Sequence, residues 1–229
     1  MENYQKISIR VGFIIIFAFG AFITKAQSNF IKNVFRLLPS SYIFRLTEVT
    51  RDSILEGKTY YPIENDSNSV LAFNYGASNF VDDYMYISMA YETSQHGAGM
   101  VEIRGFKMKE KDIIIVSKTG GVENINYEQI DISAFIYDGD KKLSLYKDTI
   151  FPEWPEDLFI KSGVPDSIKK VILGNLNLIY DFSNPDVALL LKSPFLYDNS
   201  IYREWLKGNC IKYAWTGKQF IPGSAYFSD

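Results

Sequence analysis

Two patterns of hydrophobic spacing divide this chain, and the second one narrows the fold class sharply. From Val70 onward, apolar and polar residues alternate in short runs such as "VLAFNY", "YMYISMAYE", "MVEIRGFKM" and "DIIIVS". A period of two puts alternate side chains on opposite faces of a strand. The connections between runs are mostly short, which favours antiparallel pairing, because parallel neighbours need a crossover of a dozen residues or more. Ile113 to Val116 is apolar without interruption, as expected of a strand covered on both faces. "QIDISAFIYDGDKKLSLYK" predicts a hairpin, with Ile130, Ile132, Ala134 and Ile136 on one face and Asp138-Gly139 turning the chain before Leu143 and Leu145. "CIKYAW-TG-KQFIP" predicts a closing hairpin that turns at Thr216-Gly217. The 16 Tyr and 17 Phe suit a strand-rich fold.

The segment before Val70 has a different period. Phe30, Ile31, Val34, Phe35 and Leu38 fall at helical spacing, and Pro39 ends that helix. Tyr42 to Glu56 reads as a second helix or two short turns, closed by Gly57. Further on, "TIFPEWPEDLFIKSG" has two prolines and no clean period, so it predicts a loop carrying a short helix. That loop is the best boundary between residues 27–148 (helical segment plus antiparallel sheet) and residues 149–229 (loop, short helices and C-terminal strands), as two parts of one domain or as two subdomains. In the second part, "DSIKKVI" and "YREWLKG" read as short helical pieces, and "NLNLIYDF" and "VALLLK" as strands. The expected architecture is α+β: a strand-dominated antiparallel sheet with an N-terminal helical segment and short helices between hairpins. The expected core is Phe35, Leu38, Leu71, Ile87, Ile114, Val116, Ile132, Ile136, Leu178, Tyr180, Leu190 and Trp215.

Residues 1–26 carry the pattern of an export signal. Lys6 and Arg10 form a positive start, "VGFIIIFAFGAFIT" is uncharged, and Thr24 and Ala26 offer small residues before Gln27. The apolar run from 11 to 24 is shorter than the roughly 20 residues of a spanning helix, so cleavage near Ala26-Gln27 is expected rather than anchoring. The expected location is periplasmic or secreted, with no transmembrane span after cleavage. The mature chain would hold 21 basic and 26 acidic residues, a net charge of −5. Such a surface repels phosphate backbones and argues against nucleic acid as a partner. The single cysteine, Cys210, cannot form a disulfide within the chain, and its strand context "CIKYAW" predicts a buried thiol.

Several chemistries fail on spacing. Lys118-Thr119-Gly120 matches the triplet of acyl-serine enzymes such as penicillin-binding proteins, but those need a Ser-x-x-Lys upstream. No serine before Lys118 has a lysine three residues later, and Ser167-Ile168-Lys169-Lys170 and Tyr197-Asp198-Asn199 both lie downstream. The simpler expectation is a strand that stops at Gly120-Gly121, with one of them at positive φ and with Lys118 and Thr119 at a solvated strand end. His96 is the sole imidazole, in "TSQHGAGM", with no marked nucleophile. One His and one Cys do not make an ordinary single-chain zinc site, and "ENDSNS" lacks the glycine and final glutamate of a calcium loop. "GAG" at 97–99 has neither the lysine nor the following helix of a phosphate loop. No cofactor or metal is expected, and no catalytic residue is assigned. The denser acidic groups are Asp82-Asp83, Asp138/Asp140 and Glu153/Glu156/Asp157.

Tyr84, Tyr86 and Tyr91 are the candidate binding residues, an aromatic surface for sugar or peptide, against a default of cross-strand packing. The layout of a signal ending at Ala26-Gln27, "LLPSS", "MVEIRGFKMKEKDIIIVSKTGG", "AFIYDGDKKL" and "YAWTGKQF" resembles small exported Bacteroidota proteins grouped as a domain of unknown function. That resemblance implies a secreted α+β protein without assigned catalysis. The functional expectation is a non-enzymatic binding or structural envelope protein, whose partner is another envelope protein or a glycan. The alternative is a carboxylate-dependent periplasmic hydrolase, and a small outer-membrane barrel is a third reading.

Overall fold

The computed structural model describes residues 30–58, 70–77, 83–92, 97–122, 128–139, 142–152, 155–184, 186–193 and 202–228. Residues 1–26, where an export signal is expected, and His96 lie outside these residues, as do Asp82, Asp140 and Glu153.

Helix α1 covers residues 30–37, and a short 3-10 turn follows over Ser40–Tyr42. Helix α2 spans Glu48–Leu55. Thr47 caps it by accepting from the Thr50 amide, and Gly57, at φ +79°, closes it. Arg51 of α2 is buried and ties the two helices together. Its Nη1 donates to the carbonyls of Phe35, Arg36 and Leu38, and its Nε to that of Leu46. The open C-terminal end of α1 therefore finds its donors on a side chain.

Six strands follow as an antiparallel meander: β1 Val70–Ala77, β2 Tyr84–Glu92, β3 Gly97–Lys107, β4 Asp112–Val122, β5 Glu128–Tyr137 and β6 Leu143–Leu145. Helix α3, Asp166–Asn175, leads to a second antiparallel sheet in the order β10-β9-β8-β7. Its strands are β7 Ile179–Asp181, β8 Leu189–Lys192, β9 Cys210–Trp215 and β10 Phe220–Tyr226. The protein is α+β and strand-dominated. Both predicted hairpins form, with Gly139 and Gly217 at positive φ in their turns. The loop before α3 carries a 3-10 turn over Pro155–Leu158.

The six-stranded sheet is the middle layer. On one face Met85, Ile87, Val101, Ile103, Ile114 and Val116 pack against Val34, Phe35, Leu38 and Ile54 of the helices. On the other, Phe106, Ile113 and Ile115 join Ile172 of α3 and Leu189, Leu191, Ile211, Tyr213 and Phe220 of the second sheet. The Ile113–Val116 run is thus covered by protein on both sides, which leaves β4 no lipid-facing side of the kind a barrel strand needs. Among the expected core residues, Phe35, Leu38, Ile87, Ile114, Val116 and Leu190 are buried. Ile132, Ile136, Leu178, Tyr180 and Trp215 are half-buried around the second core, and the Leu71 side chain is outside the described set. Cys210 is fully buried.

The expected turn at Gly120-Gly121 does not form. Strand β4 runs through both glycines to Val122, and neither has positive φ. Gly99 and Gly120 are cross-strand partners on the helix-covered face. A Cβ on Gly99 would sit 3.1 Å from the Phe44 ring, and one on Gly120 would sit 2.8 Å from Ile130 Cδ1. These glycines serve close packing, not chain reversal. Lys118 lies over the Phe44 ring, 5.4 Å from its centroid, while Thr119 is buried on the opposite face rather than solvated.

Strand β7 joins the two sheets through its backbone. Its register with β8 turns Ile179 and Asp181 toward β8 and leaves Tyr180 facing outward. The Tyr180 amide donates to Gln129 Oε1 (3.1 Å), and Ser117 Oγ donates to the Tyr180 carbonyl (3.4 Å). Gln129 is held in place because its Nε2 donates to Ser117 Oγ and to the carbonyls of Lys118 and Asp131. Replacing Gln129 by Ala leaves a part-buried amide without its acceptor, and the expected loss is about 2 kcal/mol in urea unfolding. A loss below roughly 0.5 kcal/mol, the range of an ordinary surface change, would contradict this role.

Candidate functional site

The polar residues of β3 face the second sheet. In "VEIRGF" the even positions, Glu102, Arg104 and Phe106, lie on that side, opposite Ser117, Ile115 and Ile113 of β4. Glu102 is 2% exposed. Tyr84 Oη donates to its Oε1 at 2.8 Å, and the Phe182 amide donates to it as well. Arg104 is 6% exposed, and its Nη1 lies 2.9–3.1 Å from the carbonyls of Phe182, Asn184, Val187 and Ala188. The connection from β7 to β8 is therefore folded around one guanidinium nitrogen. Asp181 accepts from Lys192 through Oδ2 and from both the amide and the hydroxyl of Ser183 through Oδ1.

Burial pushes the Glu102 carboxyl up to about 7, and the nearby Asp181 charge adds to this. The bonds from Tyr84 and Phe182, together with Lys192, oppose the shift without cancelling it. Burial also acts to raise Asp181, but the Lys192 and Ser183 bonds outweigh it and hold Asp181 below its usual value. The Tyr84 phenol is pushed far above its ordinary range by burial and by Glu102, so it stays a donor.

Beside this cluster lies an open groove of about 590 Å³ between the end of the middle sheet and the β9–β10 hairpin. Its wall includes Phe106 and Trp215, and Asp83, Arg104, Asp186 and Lys212 add charge. The Trp215 ring is fixed: its Nε1 donates to the Lys107 carbonyl at 2.8 Å, and the ring packs on Phe220 at 4.9 Å. Arg104 Nε and Tyr213 Oη, from residues that also line the groove, are buried without a hydrogen-bond partner.

The structure separates most of the residues singled out in the sequence. Tyr84 is buried and committed to Glu102, Tyr86 is half-buried beside it, and the Tyr91 side chain is outside the described set. Asp83 lines the groove. Asp157 makes a surface pair with Lys169 at 3.1 Å, and Asp138 sits at a hairpin turn, far along the chain from the groove residues. Glu102, Arg104 and Gln129 escaped the sequence reading, and Trp215, expected in the core, stands at the groove wall. A signal for the first two existed: charged residues on alternate positions of a strand adjoining one that is apolar on both faces must point into an interior. Among the described residues no group of three His, Cys, Asp or Glu is placed to hold a metal, and no helix is long and apolar enough to cross a membrane.

No family model and no curated protein matches the sequence. The fold is similar to that of a domain of an uncharacterized protein from Porphyromonas gingivalis W83, with a TM-score of 0.55 at 14% identity. The match covers 84% of this chain and 96% of that domain. At this identity the likeness is one of fold.

The raised Glu102 value has a direct consequence for stability. Glu102 holds its proton more tightly when folded (about 7) than at its ordinary value of 4.5. Its contribution to stability is thus fully present below pH 4.5 and is lost as pH rises through about 7. Glu102→Gln lacks that loss, so its stability relative to the wild type should climb by roughly 3 kcal/mol between pH 4.5 and 8. Urea unfolding across this range checks it, and a flat difference would contradict the assignment.

Proposed function

We propose that the chain is an exported, non-enzymatic binding protein of the bacterial envelope, and that a glycan occupies the groove beside Trp215. The observation that carries this reading is an immobilised indole at the wall of an open groove with carboxylates and an ammonium group around it. A fixed aromatic face stacks on the C–H face of a sugar ring with little ordering cost. Asp83, Asp186 and Lys212 supply acceptors and a donor for hydroxyls.

The non-enzymatic part of the reading rests on how the buried acids are used. Glu102 is engaged by Tyr84 and Phe182, and Asp181 by Lys192 and Ser183. Neither lines the groove. Asp83 and Asp186 do line it, so recovery of intact sugar in the binding assay is what separates binding from carboxylate-dependent hydrolysis. Export is supported by the charge and apolar pattern of residues 1–26, which favours the periplasm or the cell exterior.

Binding of residues 27–229 to envelope polysaccharides, followed by calorimetry on the best ligand, tests the proposal. Trp215→Ala should weaken binding at least tenfold while leaving the circular dichroism spectrum unchanged, and the ligand should be recovered intact. Equal binding by the variant, or accumulation of shortened sugars, would overturn it.

A further inference from the structure

Each sheet has two edges, and three of the four edge strands carry a device that stops further pairing. Strand β6 is only three residues long. The stretch of β5 beyond it bears Glu128 and Asp131, and the Asp131 carbonyl is already taken by Gln129 Nε2. The outward groups of β7 are met by Gln129, Ser117, Glu102 and Arg104. Strand β10 contains Pro222, and its register breaks between Pro222 and Ala225.

Strand β1 is the exception. Its eight residues, "VLAFNYGA", include no charge and no proline. β2 pairs with one side of it along the whole length, and among the described residues no strand lies on the other side. Helix α2 packs beside β1 and bears Val49, at 77% the most exposed large apolar side chain among the described residues.

We infer that β1 is a self-association edge: it pairs antiparallel with β1 of a second copy, joining the two six-stranded sheets into one across a two-fold axis. The inference is independent of the proposed glycan site, because no residue of β1 or α2 lines the groove.

Symmetry and charge select a second copy as the occupant. Facing residues of an antiparallel pair share a side of the sheet. A two-fold axis perpendicular to the sheet meets that requirement and sets one residue of β1 opposite its own copy. The same axis lays both helix layers on one face and both second sheets on the other, so the layers continue across the seam. Charges near the axis would meet their own copies, and β1 has none. The area is adequate as well. Strand β1 makes a seam about 27 Å long, and the sheet and helix layers together are about 20 Å deep. Two copies then bury on the order of 1,100 Å² in total, just above the floor for a specific interface, so the dimer is a weak one that depends on concentration.

Sedimentation velocity of residues 27–229, from low to high micromolar concentration, should show a monomer–dimer equilibrium. Over the same range, hydrogen exchange in peptides covering residues 70–77 should slow at least about tenfold, with β3 and β4 unchanged. Asn74, the register partner of Ser88, lies beside the middle of β1, so a charge placed there meets its own copy directly or on the diagonal. Asn74→Lys and Asn74→Asp should therefore each be monomeric, and mixing the two should restore a dimer containing one of each. A wild type that stays monomeric throughout would overturn the inference. So would exchange at 70–77 that is equally slow at both concentrations, as when a segment of the same chain covers the edge. A dimer that persists unchanged in both variants would place the contact on another surface and overturn it too. If either variant fails to fold, the concentration dependence of exchange at 70–77 in the wild type decides alone.

Discussion

The layering depends on how a three-residue strand at the edge of the second sheet satisfies its outward backbone groups. Strand β7 pairs with β8 on one side only. On the other side, where a further strand would normally lie, side chains of the middle sheet take its place. Gln129 receives the Tyr180 amide, Ser117 donates to the Tyr180 carbonyl, Glu102 receives the Phe182 amide and Arg104 donates to the Phe182 carbonyl. An edge satisfied in this way is closed to pairing with other chains. It also fixes how the second sheet sits on the first, because each bond joins a particular residue of one to a particular residue of the other.

Apolar burial alone would not choose that arrangement. Ile113, Ile115, Phe106, Phe182, Ile211 and Phe220 form a cohesive core, and such cores tolerate sliding as long as volume is conserved. A buried polar group is costly unless its partners are in place, so a displaced second sheet would strand Glu102, Arg104 and Gln129 together. The same logic holds on the other face, where Arg51 gathers carbonyls from both sides of the break at Pro39. The polar residues thus supply uniqueness and the apolar ones supply most of the free energy. The cost of this design falls on Glu102, whose charge is poorly accommodated, and it is there that the structure becomes sensitive to pH.

The strands, both hairpins and the helical start could be read from the sequence because each is a local pattern. Alternation in "MVEIRGFKM", the uninterrupted "IIIV" and the turns at Asp138-Gly139 and Thr216-Gly217 depend only on near neighbours. The uninterrupted "IIIV" of β4 implied cover on both faces of its neighbour β3, but not that the cover over Glu102 and Arg104 would be a second sheet from far along the chain. Covered on one side only, "VEIRGF" would place Glu102 and Arg104 in water, whereas the second sheet puts them in the interior. Gly120 misled for a related reason: a glycine pair after an apolar run is a turn signal locally, and only the approach of Phe44 and Ile130 makes it a packing feature. Likewise the tyrosines drew attention because they are dense in sequence, while Trp215, isolated in sequence, reaches the groove wall through the fold of the closing hairpin.

The central claim is that side chains complete the open edge of β7 as a strand would. Residue-resolved amide exchange at a single pH below neutrality tests it most directly, by comparing neighbours in the same segment. If the account is right, Tyr180 and Phe182 are protected to the same degree as Ile179 and Asp181, although only the latter two face β8. If Tyr180 and Phe182 instead exchange at the rates of an exposed strand edge, the side chains do not close it and the account fails.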